Sequence, residues 1–225
     1  MNISPIRIFA VNTLIMAFTF AAEAGEGPKT DLPLVFEENF SKGAERWEPS
    51  DPKAWKVEKT DKGALFNQFQ QSVVKTPHRS PFNMALVKDL TVTDFILEAK
   101  LKSTGPDVPH RDMCLFWGYQ DPAHLYYVHI AKAADDHANQ IFIVNAADRV
   151  KISKTTTKGT PWDDNWHIVK IVRKVEPGLI QVYWDDMKNP IMTAEDKTFT
   201  WGRVGIGSFD DTGIWGEVKV WGKKK

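Results

Sequence analysis

Beyond residue 24, apolar residues in this chain recur with a period of two and nowhere with the period of a helix. Residues 95–102 display the pattern most plainly. Phe95, Leu97, Ala99 and Leu101 alternate with Ile96, Glu98, Lys100 and Lys102. Successive side chains of an extended chain point to opposite faces, so such a segment buries one face and wets the other. An apolar face needs a second layer to cover it, and short strands cut by Gly, Pro, Asn and Asp turns predict a sandwich or jelly roll of about twelve to fourteen strands.

The expected strands are residues 34–40, 54–58, 64–69, 84–88, 95–102, 113–119, 125–131, 140–145, 149–154, 166–175, 179–184, 190–193, 203–209 and 214–221. Turns at Asp61-Lys62-Gly63 and Glu176-Pro177-Gly178 make hairpins of their neighbours. Residues 76–82, 103–109 and 131–139 read as loops. Residues 1–24 read as a signal peptide: Arg7, an apolar run, then Ala22-Glu23-Ala24 as a cleavage site. Residues 25–33 follow as a linker, 34–222 as the domain and 223–225 as a basic tail. The expected location is therefore exported, periplasmic or secreted, with no membrane span after cleavage of the signal.

Charge and cysteine content narrow the classes. The chain carries 29 basic and 29 acidic residues, and the leader removes one of each. A neutral chain without a basic patch lacks the electrostatic footprint of a nucleic-acid binder. Cys114 is the single cysteine, so no intrachain disulfide forms and the fold rests on its core. Cys114 itself reads as a small buried hydrophobe.

Residues 110–145 concentrate the chemistry, with four of the six histidines and three of the four tyrosines. Parity places Leu115, Val128 and their alternates toward the core. It leaves Asp112, Cys114, Phe116, Gly118, Tyr127 and His129 on an open face. Small residues beside rings and hydrogen-bonding groups predict a shallow groove in which sugar C–H faces stack on aromatics while hydroxyls find polar partners.

Five segments carry a resemblance: FEENFSKGAERWEPSDPKAWKVEKTDKGAL, DFILEAKLKS, MCLFWGYQDPAHLYYVHIA, IQVYWDDMKNPIMTAED and GRVGIGSFDDTGIWGEVKVWG. Over roughly residues 34–222 they resemble the concanavalin A-like jelly rolls of the laminin-G-like and glycoside-hydrolase-16-like group. Within it they look like the bacterial 3-keto-disaccharide hydrolase, or 3-keto-glucoside lyase/hydratase, domain. The resemblance implies an all-β, concanavalin A-like jelly-roll sandwich of two antiparallel sheets, with a saccharide or polysaccharide as partner. Where those domains often carry an arginine on the open face, the aligned residue here is Gly118.

Candidate site residues follow from the groove segment. Ligand binding falls to Asp112, Phe116, Tyr127, His129, Gln140 and a rim tryptophan, Trp162. A carboxylate-pair glycosidase of the family 16 type requires a Glu-x-Asp-x-x-Glu run, which the chain lacks. An elimination on an oxidised, 3-keto sugar needs a base, an acid and a charge stabiliser: His129 or His137, Tyr127, and Arg111 or a metal. Candidate transition-metal ligands are His110, Asp112, Asp136 and His137. By fold analogy, Asp210, Asp211 and Glu37 with Glu38 are candidates for structural calcium. Three readings stand at this point: an exported carbohydrate-binding domain, a lyase or hydrolase of 3-keto glycosides, and a structural or protein-interaction domain.

Overall fold

The computed structural model describes residues 28–225, so the expected leader and its cleavage site lie outside the described residues. The alternating segments become sixteen strands. In the first half of the chain these are β1 (Leu34–Glu38), β2 (Trp47–Pro49), β3 (Trp55–Thr60), β4 (Gly63–Gln68), β5 (Asn83–Val87), β6 (Val92–Ser103), β7 (Asp112–Asp121) and β8 (His124–Ala131). There follow β9 (Gln140–Asn145), β10 (Val150–Lys151), β11 (Ser153–Thr156), β12 (His167–Lys174), β13 (Leu179–Trp184), β14 (Met192–Glu195), β15 (Arg203–Ser208) and β16 (Gly213–Lys224). The 3-10 turn Pro52–Ala54 is the only helical element among the described residues, and no helix there is long and apolar enough to cross a membrane.

Two antiparallel sheets result. The first has nine strands in the order β11-β14-β13-β12-β6-β16-β4-β3, with β1 also paired to β16. The second has seven, in the order β10-β9-β8-β7-β15-β5-β2. The last strand of the chain is thus interior: β16 lies between β6 and β4, with Val218 opposite Ala99 and Trp215 opposite Phe66.

Between the sheets lies one apolar layer. Phe95, Leu97, Ala99 and Leu101 of β6 enter it, facing Met113, Leu115 and Trp117 of β7 and Tyr126, Val128 and Ile130 of β8. Each of the larger aliphatic and phenyl side chains among them, fully buried, stabilises the fold by roughly 1.5–3 kcal/mol before entropy is counted. Six tryptophans are buried, among them Trp47 in a ring cluster with Phe36, Phe40 and Phe66. Arg173 crosses the layer and donates to the carbonyls of Asp196 and Phe199, which fixes the segment before β15.

Candidate functional site

The outer face of the seven-stranded sheet is built by the other parity of β7, β8 and β9. Cys114 stands opposite His129, Phe116 opposite Tyr127, and Tyr127 opposite Phe142. The face assignment made from alternation therefore holds along β7 up to Trp117. At Gly118 it fails: the register slips between Trp117 and Asp121, and Gly118 takes a positive φ of 59°. A Cβ there would meet Tyr126 at 3.0 Å on the core side, and Tyr119 is turned onto the outer face instead. Gly118 is thus a bulge residue, where glycine tolerates the left-handed backbone, and not part of an open groove.

Exposure also differs from expectation. Asp112, Cys114, Phe116 and Tyr127 are 0% exposed and His129 only 4%. With Leu125, Phe142 and Val144 they form a second apolar cluster, covered by Met84, Tyr119 and Phe209. Arg149, from the turn between β9 and β10, completes the cover. Its guanidinium lies 4.3 Å from the Phe209 ring centre and 4.7 Å from that of Phe142, and it donates to the Tyr127 hydroxyl at 2.8 Å. The long connection after β4 is tied to this cover: Arg149 N donates to Arg79 O, Arg79 N to Asp148, and Gln71 to the Asp210 carbonyl. Burial raises the Tyr127 phenol well above its ordinary value. Among the described residues no open ring-floored groove lies on this face; apolar outward residues are roofed because leaving them wet would cost what burial recovers.

At one end of the roof, acids and an imidazole converge. His129 Nδ1 lies 2.8 Å from the His137 carbonyl, which can only accept, so this nitrogen carries the proton. Its Nε2 faces Asp112 Oδ2 at 3.3 Å. Asp112 Oδ2 accepts from Phe209 N at 2.8 Å and from the Cys114 thiol. Asp112 Oδ1 and His129 Nε2 are buried with no hydrogen-bond partner. Beside them Asp211 accepts from Asp112 N at 2.7 Å in space that Gly105 leaves open, since a Cβ at 105 would lie 2.7 Å from that carboxylate. Burial, with the Asp112 and Asp210 charges, lifts Asp211 to about 6. Asp210 is raised too, by burial and then by Asp112. The Cys114 thiol is pushed well up by burial and the Asp112 charge, which makes it a poor nucleophile.

Comparison of the whole backbone with solved structures places this architecture. The carbohydrate-binding module CBM66 from Bacillus subtilis matches at a TM-score of 0.55 and 16% identity, over 78% of this chain and 95% of that one. A protein of unknown function with a galectin-like fold from Bacillus subtilis matches at 0.55 and 10%, over 84% and 96%. The winged bean acidic lectin, complexed with methyl-α-D-galactose, matches at 0.52 and 10%, over 84% and 98%. The chain folds as a concanavalin A-like jelly roll. No protein-family model matches it, and no curated protein does.

The jelly roll distributes the remaining candidate residues as follows. Trp162, expected at a rim, is 5% exposed: its loop folds back, its indole donates to the Ile130 carbonyl, and its ring packs edge-on against Trp184 in the core. Gln140 is buried and donates to the Asp135 carbonyl. Arg111, just before β7, is 3% exposed and bonded to Ser103 and Asp164. His137 meets His129 through its carbonyl, while its own side chain is exposed. His110 pairs with Asp135 at 2.7 Å, and Asp136 pairs with Lys151. Glu37 pairs with Lys219 on the other sheet from Asp112, and Glu38 accepts from the backbone of Phe40. Among the described residues no three His, Cys, Asp or Glu side chains are grouped to hold an ion.

Two participants escaped sequence reasoning. Arg149 supplies the outer-face cation that the aligned Gly118 lacks, from a turn instead of a strand, and Phe209 is the ring it clamps. Both stood at the ends of expected strands, 149–154 and 203–209, and nothing local in the sequence signals that this cation and this ring meet.

Proposed function

We propose that this chain is an exported saccharide-binding jelly roll whose primary contact is the edge where Asp210, Asp211 and Arg149 surround Phe209. One observation carries the reading. The Arg149 guanidinium lies over the half-buried Phe209 ring, which stacks on His129 of the buried Asp112–His129 pair, and the next two residues are carboxylates that reach solvent, Asp211 held by Asp112 N. Carboxylates accept from vicinal hydroxyls and a guanidinium donates to ring oxygens, so this set matches a sugar edge. Support for the ligand class comes from the fold shared with CBM66 and with a lectin holding methyl-α-D-galactose. The roofed face makes this an edge contact and not the ring-floored groove read from parity.

A panel of neutral mono- and oligosaccharides titrated by calorimetry tests the reading. Binding that Asp210→Ala weakens about tenfold, the value of one good charged hydrogen bond, supports it. Failure of every saccharide to bind overturns it. Turnover of a 3-keto-glucoside without stable binding would replace it with the lyase reading, for which raised Asp211 beside His129 is the natural proton acceptor. Mass analysis of the mature protein tests export: cleavage after Ala24 is expected.

A further inference from the structure

The outer face of the nine-stranded sheet differs in kind from its counterpart, since an open groove of about 740 Å³ runs across it. Alternation on β6 sends Lys100 and Lys102 outward into this groove. On β16 the register slips between Trp215 and Glu217, which brings Gly216 to the floor. A Cβ at Gly216 would already touch the Trp166 ring at 3.4 Å, so glycine leaves that ring room as one wall. Trp166 is 36% exposed, and the Lys100 ammonium lies 5.4 Å from its ring centre. Leu65 and Ile214 add apolar surface.

The charges of this groove are not balanced internally. Among the described residues neither Lys100, Lys102 nor Lys62 has a carboxylate within 4 Å. Of the two lining acids, Glu217 is held by Lys219 at 2.9 Å, which leaves only Asp61 at the β3–β4 turn. On the opposite wall Asn39 spends its carbonyl on Ser41, and its amide nitrogen has no internal acceptor among the described residues.

We propose that this groove is a second binding site and takes a carboxylated oligosaccharide, a chain of uronic acid units. Trp166 with Leu65 and Ile214 offers the apolar surface on which a pyranose C–H face packs. Lys100 and Lys102, about 7 Å apart along one strand, each meet a carboxylate. The Asn39 amide donates to a hydroxyl. Three lysines on a chain of zero net charge do not make a nucleic-acid surface, which needs a sustained basic track. The ligand class rests on the saccharide reading given above, but the site, on the other sheet, is separate from the Asp210–Asp211 edge.

Calorimetric titration with trigalacturonic acid tests the proposal on the intact protein, with galactotriose and poly-glutamate as controls. Expected is binding of trigalacturonic acid that weakens with salt and falls at least about tenfold in Lys100→Ala/Lys102→Ala, the scale of two partly exposed ion pairs lost together. Trp166→Ala weakens it as well, while Asp210→Ala leaves it unchanged. Both lysines are on the surface, so the double variant folds, and its circular dichroism and melting point verify that. Equal binding by the double variant overturns the proposal, as does poly-glutamate binding as tightly as the uronate. If galactotriose binds at the Asp210 edge while trigalacturonic acid binds nowhere, this inference alone falls. If no saccharide of either kind binds, the primary reading falls and takes this one with it.

Discussion

The two outward faces of this sandwich solve the same problem in opposite ways. On the nine-stranded sheet the outward positions of β6 and β16 carry Glu98, Lys100, Lys102, Glu217 and Lys219, and the face stands open to water. On the seven-stranded sheet the outward positions of β7, β8 and β9 are Cys114, Phe116, Leu125, Tyr127, Phe142 and Val144, and a roof of connections closes over them. The chain thus has an apolar layer between the sheets and a second one beneath loops. The polar groups of greatest chemical interest sit at the border between the second layer and water.

That contrast can be broken by mutation. Tyr127→Ala removes a fully buried ring from beneath the roof, and the expected cost is about 3–5 kcal/mol in urea or guanidinium unfolding. Lys100→Ala on the open face is expected to change stability by no more than about 0.5 kcal/mol. Equal effects at the two positions would mean that the roofed face is not a second core.

Arg149→Ala sharpens the comparison. It leaves the buried Tyr127 hydroxyl without its donor and removes the cation from two ring faces, for an expected loss of about 1–3 kcal/mol. Cys114 reports the same event locally. Its thiol lies under the roof with a raised pKa, so alkylation requires opening. Labelling that speeds up in the Arg149 variant by more than its global unfolding does is the expected result; equal labelling rates would show that Arg149 does not hold the roof.

A further test of the comparison is a pH dependence at the border. Asp211 keeps its proton up to about 6 in the folded chain against an ordinary 3.8, so the folded state binds more protons between these values. Its contribution to stability is therefore fully present below the ordinary value and lost as pH rises through about 6. Asp210 shifts in the same direction. Unfolding curves measured from pH 4 to 7 are expected to weaken over this interval, and Asp211→Asn to flatten the trend.

Much of the fold was legible because alternation and turn residues are local signals. β7, β8 and β9 fall within about two residues of where period-two runs place them, and Val128 and Leu115 point inward as parity requires. β2 was not legible: three residues ending in proline carry no period, and only pairing with β5 makes them a strand. The bulge at Gly118 depends on Gly202 packing against its backbone, a long-range contact with no local signature. Parity tells which face a side chain takes but not what later covers that face. Phe116 and Tyr127 were therefore placed on the correct side and given the wrong surroundings. Trp162 misled for the converse reason, since a loop position suggests solvent while its indole reaches back to Ile130. The adjacent acids Asp210 and Asp211 read as calcium candidates by fold analogy, and only the approach of Asp112 from another strand gives them a shared field.

Placing the final strand in the middle of the larger sheet has a bearing on how the molecule comes into being. β6 and β4 have no direct pairing with each other and are joined only through β16, whose partners lie more than a hundred residues earlier in the chain. A nascent polypeptide emerging amino end first can assemble hairpins such as β3–β4 or β7–β8, but it holds two unjoined half-sheets until β16 is free. Maturation should thus be a late, all-or-none closure, slow as expected for non-local pairing. Deleting β16 would remove the seam between β6 and β4 in the larger sheet.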